Sequence, residues 1–351
     1  MCAGLTVDVP AAAVLASVIV PCRNEQAGIG RFIESVAAQR VPEGNIEILV
    51  ADGMSTDGTR AILADWTESD MRVRVIDNPA GYVSQGLNAA IGCARGEFVV
   101  RMDVHTRYEP NYVSASIRAL RETGAECVGG PWRPEADGPV SAAIARAFTS
   151  RMGSGGARSR DVGFAGPVDT VYLGAWKRAT LLQLGGFDEA LPRNQDDELN
   201  MRIRRGGGTV WQSPAIRSAY TPRNSLRRLL KQYFQYGYWK VAVIRKHRLP
   251  ASPRHLVPFL FVAVVLATIV ILALAPRYAM PGTILIAVYL LLAAVSAGGI
   301  GRWLRAPGQC LLTAAAIACM HLGYGAGFAL GLFDALRGGG RRDGLTSGLS
   351  R

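Results

Sequence analysis

From Leu199 to Phe333 the chain contains no aspartate or glutamate. That stretch carries 16 lysines and arginines, whereas residues 1–198 hold 25 acids against 19 basic residues. The formal net charge of +12 therefore does not describe a uniformly basic globule. An acidic N-terminal half is joined to a basic, apolar C-terminal half, an asymmetry that points to a nucleic-acid or membrane partner. Cysteine is sparse: Cys2, Cys22, Cys93, Cys127, Cys310 and Cys319 form no CxxC pair. This removes zinc ribbons and thioredoxin-type redox sites and fits a reducing compartment. Charged residues are only 19%, below the ~25% of ordinary soluble domains. Hydrophobic residues reach 49%, too many for a disordered chain. There is no Gly-X-Y run. The first 16 residues lack a basic n-region, include Asp8 and do not read as a signal peptide.

The charge deficit is concentrated in three apolar runs: Leu256–Ala275, Met280–Gly299 and Gly308–Phe333. Each is long enough for a helix to cross ~30 Å of hydrocarbon, which takes ~20 residues. A membrane thus becomes the expected partner, and no nucleic acid is expected. Before these runs, Arg223–Arg254 mixes basic residues with Tyr233, Phe234, Tyr236, Tyr238 and Trp239, the composition of a membrane-interface segment. The expected organisation is an extension over 1–15, a globular domain over 16–222, the interface segment over 223–254, a membrane region over 255–333 and a polar tail over 334–351.

The N-terminal part alternates. Ala16–Pro21, Ile46–Ala51, Val73–Ile76 and Glu97–Met102 read as buried strands. Gly28–Gln39, Ser55–Glu68 and Ser84–Ala94 read as helices, the second capped by Thr56 or Asp57. This alternation predicts a parallel, doubly wound α/β sheet, which binds ligands beyond the carboxyl ends of its strands. Asn24–Glu25, Asp52–Gly53 and Asp103–His105 each follow a strand and should share that edge. Residues 148–166, rich in Gly, Ser and Arg, read as a mobile loop, and Val168–Leu173 as a resumed strand.

Five constellations carry candidate chemistry. Val20-Pro21-Cys22-Arg23-Asn24-Glu25 and Asp52-Gly53-Met54-Ser55-Thr56-Asp57-Gly58-Thr59 place carboxylates at strand ends, where they can accept from ribose or base. DG and DGT are equally ordinary turn chemistry. Arg101-Met102-Asp103-Val104-His105 puts a carboxylate and an imidazole two positions apart, able to hold one divalent cation against a diphosphate or simply to form a turn. Asp196-Asp197-Glu198 opens a helical stretch that continues to Arg202. The acids either favour the helix N-terminus electrostatically or supply a general base. Lys231-Gln232-Tyr233-Phe234-Gln235-Tyr236-Gly237-Tyr238-Trp239-Lys240 suits an interface helix, an acceptor site, or both.

Taken in order, VPxxNE, DGxSTDGT, GLNxAIxxARGEFVxRMD, VGGPW, DTVYLGAW, GGFDE, QDDELNxR and QYFxYGxWK resemble family 2 glycosyltransferases over residues 16–248. The string is most similar to the branch typified by the succinoglycan-biosynthesis glucosyltransferases of bacterial exopolysaccharide assembly. The resemblance implies a GT-A fold, a Rossmann-like mixed sheet binding a nucleotide sugar, followed by C-terminal transmembrane helices. It implies that Glu25 and Asp52 contact the nucleoside, with Pro21, Arg23, Asn88 and Asp103 also on the nucleotide-sugar side. Asp103 and His105 match the family's metal-binding pair, His105 standing where a second Asp is usual; the implied cofactor is Mn²⁺ or Mg²⁺. Asp196 falls at the catalytic base, with Gln195 in place of a customary Glu. Glu198, Arg202, Gln232 and Trp239 fall on the acceptor or phosphate side. Gln235 and Tyr236 stand where processive synthases carry the Arg and Trp of QxxRW, which argues against a polymer-extruding enzyme.

The expected activity is inverting transfer of a hexose from a nucleotide sugar, UDP-linked for preference. The expected acceptor is a polyprenyl-diphosphate-linked saccharide, at the cytoplasmic face of a bacterial membrane, with other polysaccharide-assembly proteins as possible partners. Two rivals stand beside it. A sugar nucleotidyltransferase usually needs a Gly-rich basic phosphate loop near the N-terminus, which VPCRNEQAG matches poorly. A non-catalytic nucleotide-sensing membrane protein has no need of acids at 52, 103 and 196.

Overall fold

The computed structural model describes residues 14–250 and 252–337. Cys2, Asp8 and the tail residues Arg341, Arg342 and Ser347 lie outside them. The chain forms two compact units, Met1–Arg133 with Asp161–Tyr220, and Pro134–Arg160 with Thr221–Arg351. The expected boundary at 222 therefore misses an excursion: residues 134–160 cluster with the C-terminal helices.

In chain order the first unit runs β1 (Val14–Cys22), α1 (Ile29–Ala37), β2 (Asn45–Asp52), α2 (Thr59–Ser69), β3 (Val73–Asp77), α3 (Val83–Cys93) and β4 (Phe98–Arg101). It continues with β5 (Thr106–Tyr108), α4 (Tyr112–Thr123), β6 (Cys127–Gly130) and β7 (Trp132–Pro134). Two helices of the second unit intervene, α5 (Pro139–Thr149) and α6 (Arg151–Ser154). The first unit then resumes with β8 (Gly166–Pro167), β9 (Tyr172–Lys177), α7 (Arg178–Leu184), α8 (Gln195–Arg205), β10 (Val210–Gln212) and β11 (Ser218–Tyr220).

Eight strands form one sheet in the order β3-β2-β1-β4-β9-β6-β10-β8, and β5-β11-β7 form a small second sheet. Strands β1 to β4 are parallel, as their unbroken apolar runs predict for strands covered on both faces. Side chains alternate between two cores. Val18, Val20, Ile48, Val50, Phe98 and Val100 face one, and Ile19, Leu49 and Val99 face the other. The sheet as a whole is mixed, because β9 runs antiparallel between β4 and β6. The strand expected at Val168–Leu173 is displaced to Tyr172–Lys177, where Ala175 and Trp176 supply the buried positions. The helix expected from Ser55 begins at Thr59, since residues 55–58 are bonded to neighbouring loops. The loop expected over 148–166 contains α6 and a short 3-10 turn, Arg158–Arg160; Ser150 caps α6 by accepting from Gly153 N.

The strand order sets the site. The chain moves outward from β1 through β2 to β3, then returns to place β4 on the other side of β1. That reversal is a topological switch point, where open α/β sheets bind ligands beyond the strand carboxyl ends. The loops after β1 and β4 flank it.

The second unit is helical: α5, α6, α9 (Leu226–His247), α10 (Val257–Leu274), α11 (Met280–Ala297), α12 (Ile300–Arg305) and α13 (Pro307–Leu336). The expected interface segment is mostly one helix, α9, with Leu229, Tyr238, Trp239, Val241 and Val243 buried. Its partner is α13. A Cβ on Gly323 would lie 2.7 Å from Leu230 O, and one on Gly331 would lie 2.7 Å from Tyr238 O. One on Gly327 would collide with the Phe234 carbonyl, and one on Gly237 with that of Tyr324. Glycine is needed at these four positions because backbone meets backbone. Among the described residues three helices are long and apolar enough to cross a membrane: Pro253–Leu274, Met280–Ala297 and Pro307–Leu336.

Candidate active site

The parallel register aligns Cys22, Asp52 and Asp77 at the carboxyl edge. The loops after β1 and β2 are stitched together there. Asn24, itself left-handed at φ 53°, receives Thr56 N on Oδ1 at 2.8 Å and donates its own N–H to Ser55 Oγ at 2.8 Å. Glu25 N donates to Thr59 Oγ1 at 2.8 Å, and Gln26 Oε1 accepts from Gly58 N at 2.9 Å. The VPCRNEQ and DGMSTDGT motifs are thus two halves of one rigid edge. Pro21 and Glu25 are half-buried in it. Arg23 lies across Gly53 and donates to Gly81 O at 3.2 Å.

Asp52 is fully buried. Its Oδ1 accepts from Ser55 Oγ at 2.5 Å, and its Oδ2 accepts from Ser55 N at 3.1 Å and Arg60 Nη1 at 2.8 Å. Arg60 also donates to Asp77 Oδ1 at 2.8 Å. The expected nucleoside acid is therefore the buried anchor of its turn. Asp77 offers an exposed carboxylate on this edge, its side chain 59% accessible. The sequence reading passed over Asp77 because it ends a short strand without a motif around it.

After β4, Asp103 forms a fork with Arg101: Nε to Oδ1 at 2.9 Å and Nη2 to Oδ2 at 3.1 Å. Both side chains are nearly buried, 7% and 13% accessible. The Asp103 main chain is clamped too. Its N–H donates to Tyr108 Oη at 2.6 Å, and its carbonyl accepts from Thr106 N at 3.1 Å. Burial alone pulls the Arg101 guanidinium toward neutrality, but the charges of Asp103 and Asp196 outweigh it and raise the pKa above the ordinary arginine value. Asp196 thus reaches the same electrostatic cluster from α8. It sits in the first turn of that helix, behind a left-handed Asn194, and accepts from Asp197 N at 2.9 Å. Arg101 Nη1 is buried and has no hydrogen-bond partner. The sequence signal for Arg101 is a charged residue inside an otherwise apolar strand, FVVR.

His105 turns its ring edge-on to Tyr220, centroids 5.8 Å apart. Tyr220 also packs against Trp132 at 5.2 Å and Tyr172 at 6.2 Å, and Tyr172 Oη bonds to Thr106 Oγ1 at 2.7 Å. This aromatic wall draws on VGGPW and DTVYLGAW, quoted for resemblance only.

Among the described residues no three His, Cys, Asp or Glu side chains are grouped to hold a metal. Asp103 and His105 stand two positions apart in the loop between β4 and β5 and offer one carboxylate and one imidazole. A carboxylate has about four acceptor sites, so the Arg101 fork leaves lone pairs on Asp103. Such a pair fits a Mg²⁺- or Mn²⁺-like cation whose other positions are filled by substrate phosphate and water, the usual arrangement at phosphate-binding sites.

Other expected site residues have different work. Asn88 Nδ2 donates to Phe187 O at 2.9 Å and Glu189 Oε1 at 2.8 Å, while its Oδ1 accepts from Phe187 N at 2.8 Å. Its amide is spent latching the GGFDE turn to α3. Glu198 is fully buried and receives Arg202 Nε and Nη2 at 2.8–3.0 Å. Arg202 also donates to Leu184 O at 2.5 Å and Gly186 O at 2.7 Å. This pair fastens α8 to the same turn rather than facing acceptor or phosphate. Gln232 and Trp239 belong to the second unit and are buried on α9, Gln232 bonded to Tyr236 Oη at 2.9 Å and Trp239 edge-on to Tyr238 at 5.5 Å.

Residues 17–174 match the model of Glycosyl transferase family 2. The chain is 29% identical over 333 residues to succinoglycan biosynthesis protein ExoA of Rhizobium meliloti (strain 1021), covering 91% of this chain and 96% of that protein. It is 28% identical over 245 residues to a dolichyl N-acetyl-alpha-D-glucosaminyl phosphate 3-beta-D-2,3-diacetamido-2,3-dideoxy-beta-D-glucuronosyltransferase of Methanococcus voltae, covering 66% of this chain and 74% of that one. Its fold is similar to the mannosyltransferase PcManGT from Pyrobaculum calidifontis, solved with GDP-Man and Mn²⁺. That match has a TM-score of 0.59 at 21% identity and covers 91% and 87% of the two chains. Residues 17–174 therefore form a family 2 glycosyl transferase domain within a GT-A fold, and the chain that carries it is a glycosyltransferase with a homologue in polysaccharide biosynthesis.

Proposed function

We propose that the protein is a membrane-anchored, inverting hexosyltransferase that moves a sugar from a nucleotide sugar, UDP-linked for preference, to a lipid-linked saccharide during exopolysaccharide or cell-surface glycan synthesis. The observation that carries this reading is the cluster of Asp103, Arg101 and Asp196 at the switch point of the sheet. Asp77 and the stitched edge at Pro21–Glu25 take the nucleoside. Asp103 and His105 would hold a divalent cation, which supplies Lewis-acid neutralisation of the diphosphate leaving group. Asp196 accepts the proton of the acceptor hydroxyl as that oxygen attacks the anomeric carbon from the face opposite the diphosphate. Configuration inverts, and an α-linked donor gives a β-glycoside.

The succinoglycan relative supports a role in polysaccharide synthesis, the dolichyl phosphate acceptor in the name of the Methanococcus voltae relative supports a lipid-linked acceptor, and the fold neighbour solved with GDP-Man and Mn²⁺ supports a nucleotide sugar with a divalent cation. The apolar helices support anchoring in the bacterial cytoplasmic membrane, and the basic residues ahead of α10 support a cytoplasmic N-terminal unit. The test is to incubate membranes containing the protein with a panel of nucleotide sugars and lipid extract, with and without Mn²⁺, and to identify the product by mass. A glycolipid heavier by one hexose is expected. Release of a new nucleotide sugar instead, or nucleotide binding without turnover across the panel, sinks the reading.

A further inference from the structure

Three helices have the length and composition to span a bilayer, but their surroundings differ. In the most apolar 18-residue windows, 6% of α10 with its leading turn is buried and 11% of α11, against 50% of α13. Helices α10 and α11 lie side by side: Phe261 stacks on Tyr289 at 3.9 Å, and Gly282 sits against Thr268. The turn between them, Pro276–Tyr278, brings a single charge, Arg277. Their outward faces carry Leu266, Ile269, Val270, Leu285, Leu291 and Val295, all exposed. Each helix has 18 residues, or ~27 Å at 1.5 Å per residue, close to the hydrocarbon thickness.

Helix α13 touches the hairpin near its open end, Gly325 against Pro258 and Val262 and His321 Nδ1 3.0 Å from Tyr289 Oη, and is otherwise covered by segments that do not belong in hydrocarbon. Its glycines 323, 327 and 331 meet the α9 backbone at residues 230, 234 and 238, so the two helices run parallel at matched depth. Over that contact α9 carries Lys231 and Lys240, with Arg227, Arg228, Arg245 and Lys246 further along the helix. Asp334 of α13 is buried and accepts from Tyr238 Oη at 3.1 Å. The other half of α13 is held by the excursion helices: Gln309 Nε2 donates to Pro139 O at 3.0 Å, and His321 Nε2 lies 3.1 Å from Met152 O. That excursion brings Arg146 and Arg151. If α13 crossed the bilayer, these charged helices would cross beside it, and charge in hydrocarbon is strongly disfavoured.

Charge at the hairpin ends agrees. Arg245, Lys246, Arg248 and Arg254 precede α10, and Arg302 and Arg305 follow α11, against Arg277 alone in the turn. Cytoplasmic flanks carry the excess of Lys and Arg, so both open ends of the hairpin belong on one side.

We propose that only the α10–α11 hairpin crosses the bilayer, its partner being lipid hydrocarbon. Helix α13 is a third long apolar helix kept out of that hydrocarbon by α5, α6 and α9. Residue 337 then lies on the same side of the membrane as the glycosyltransferase domain, and the basic tail needs no translocation. This rests on the membrane anchoring in the functional reading and on nothing in its chemistry.

The experiment places Met71→Cys, Tyr278→Cys or Ser347→Cys in the full chain, with Cys2, Cys93 and Cys319 replaced by serine. A membrane-impermeant maleimide is applied to intact cells and to inverted vesicles. Met71→Cys and Ser347→Cys are expected to label from one face and Tyr278→Cys from the other. Labelling of Ser347→Cys from the face opposite Met71→Cys overturns the proposal, because α13 must then cross. Labelling of all three from one face also overturns it, because the hairpin then fails to cross. Release of the chain by alkaline carbonate instead defeats the anchoring itself, and the mass-based transfer assay still judges the chemistry independently.

Discussion

The Arg101–Asp103 fork is the interaction whose loss the structure prices most directly. Methionine at 101 keeps much of the volume of the stem but removes both donors from a carboxylate that is only 13% accessible. Breaking a nearly buried ion pair by deleting one partner costs about 3–5 kcal/mol, because the other charge is left uncompensated. The charge of Asp196 also acts on Arg101 and adds to that cost. In a unit of this size each kcal/mol moves the midpoint by ~2–4 °C, so Arg101→Met should melt ~6–20 °C earlier. Replacing both partners with apolar residues removes the orphan charge, and such exchanges are often close to neutral. Arg101→Met/Asp103→Leu should therefore recover at least half of the loss while abolishing transfer. The assay is thermal unfolding of the detergent-purified protein followed by tryptophan fluorescence, with buried Trp176 as reporter in the first unit. Arg101→Lys supplies a second readout: it keeps the charge and loses the fork, and a residue that orients a metal ligand typically costs 10–100-fold in metal affinity when changed. Titration of Mn²⁺ with UDP should show that weakening with near-normal folding. A midpoint for Arg101→Met within ~2 °C of the parent, or a double variant as unstable as the single one, would refute the reasoning.

Asp196→Asn should bind nucleotide sugar normally and transfer ~10²–10⁴-fold more slowly, the usual cost of losing a general base. Equal kinetics in Asp196→Asn with loss in Asp197→Asn would move the base by one residue. His105→Ala should weaken the Mn²⁺ dependence of UDP binding, while His105→Asp restores it; an unchanged titration in both leaves Asp103 to hold the cation without imidazole. Asn88→Ala removes three hydrogen bonds to the GGFDE turn and should lower stability by roughly 1–3 kcal/mol, with KM for the donor little changed; a selective rise in donor KM at normal stability restores its expected binding role. Burial pushes the Cys127 thiol well above its ordinary pKa, so it should resist iodoacetamide at pH 8 in the folded protein and react on unfolding, which peptide mass mapping reads directly.

The first four strands were legible because a strand buried on both faces is an uninterrupted apolar run whatever its neighbours do, as in ASVIVP and IEILVA. The shared edge followed from that, since parallel strands bring every β-to-α loop to one side. Strand direction was not legible. Nothing in YLGAWK distinguishes an antiparallel strand from a parallel one, and its place between β4 and β6 depends on pairing with residues 42 to 79 positions away. Motifs also mix side chains that hold the site together with side chains available to a ligand. Asp52, Asn88, Glu198 and Arg202 stand at motif positions, yet their partners are turns, a distant backbone and each other. Asp77 and Arg101 were less conspicuous because their importance lies in register and in what faces them. Composition marks the Gly-rich last run only as apolar; that its glycines make room for another helix backbone depends on what faces them.

That close backbone approach has a consequence for synthesis. Residues 230, 234 and 238 meet residues 323, 327 and 331, each 93 positions later in the chain. At roughly 5–20 residues per second, α9 emerges from the ribosome ~5–20 s before its partner exists. During that interval Tyr238 and Val241 have no α13 to cover them. The amphipathic face of α9 must be shielded meanwhile by a chaperone or by the membrane surface. Slowing elongation between codons 248 and 337 should lengthen that exposure and raise the fraction degraded, without altering any residue of the finished protein.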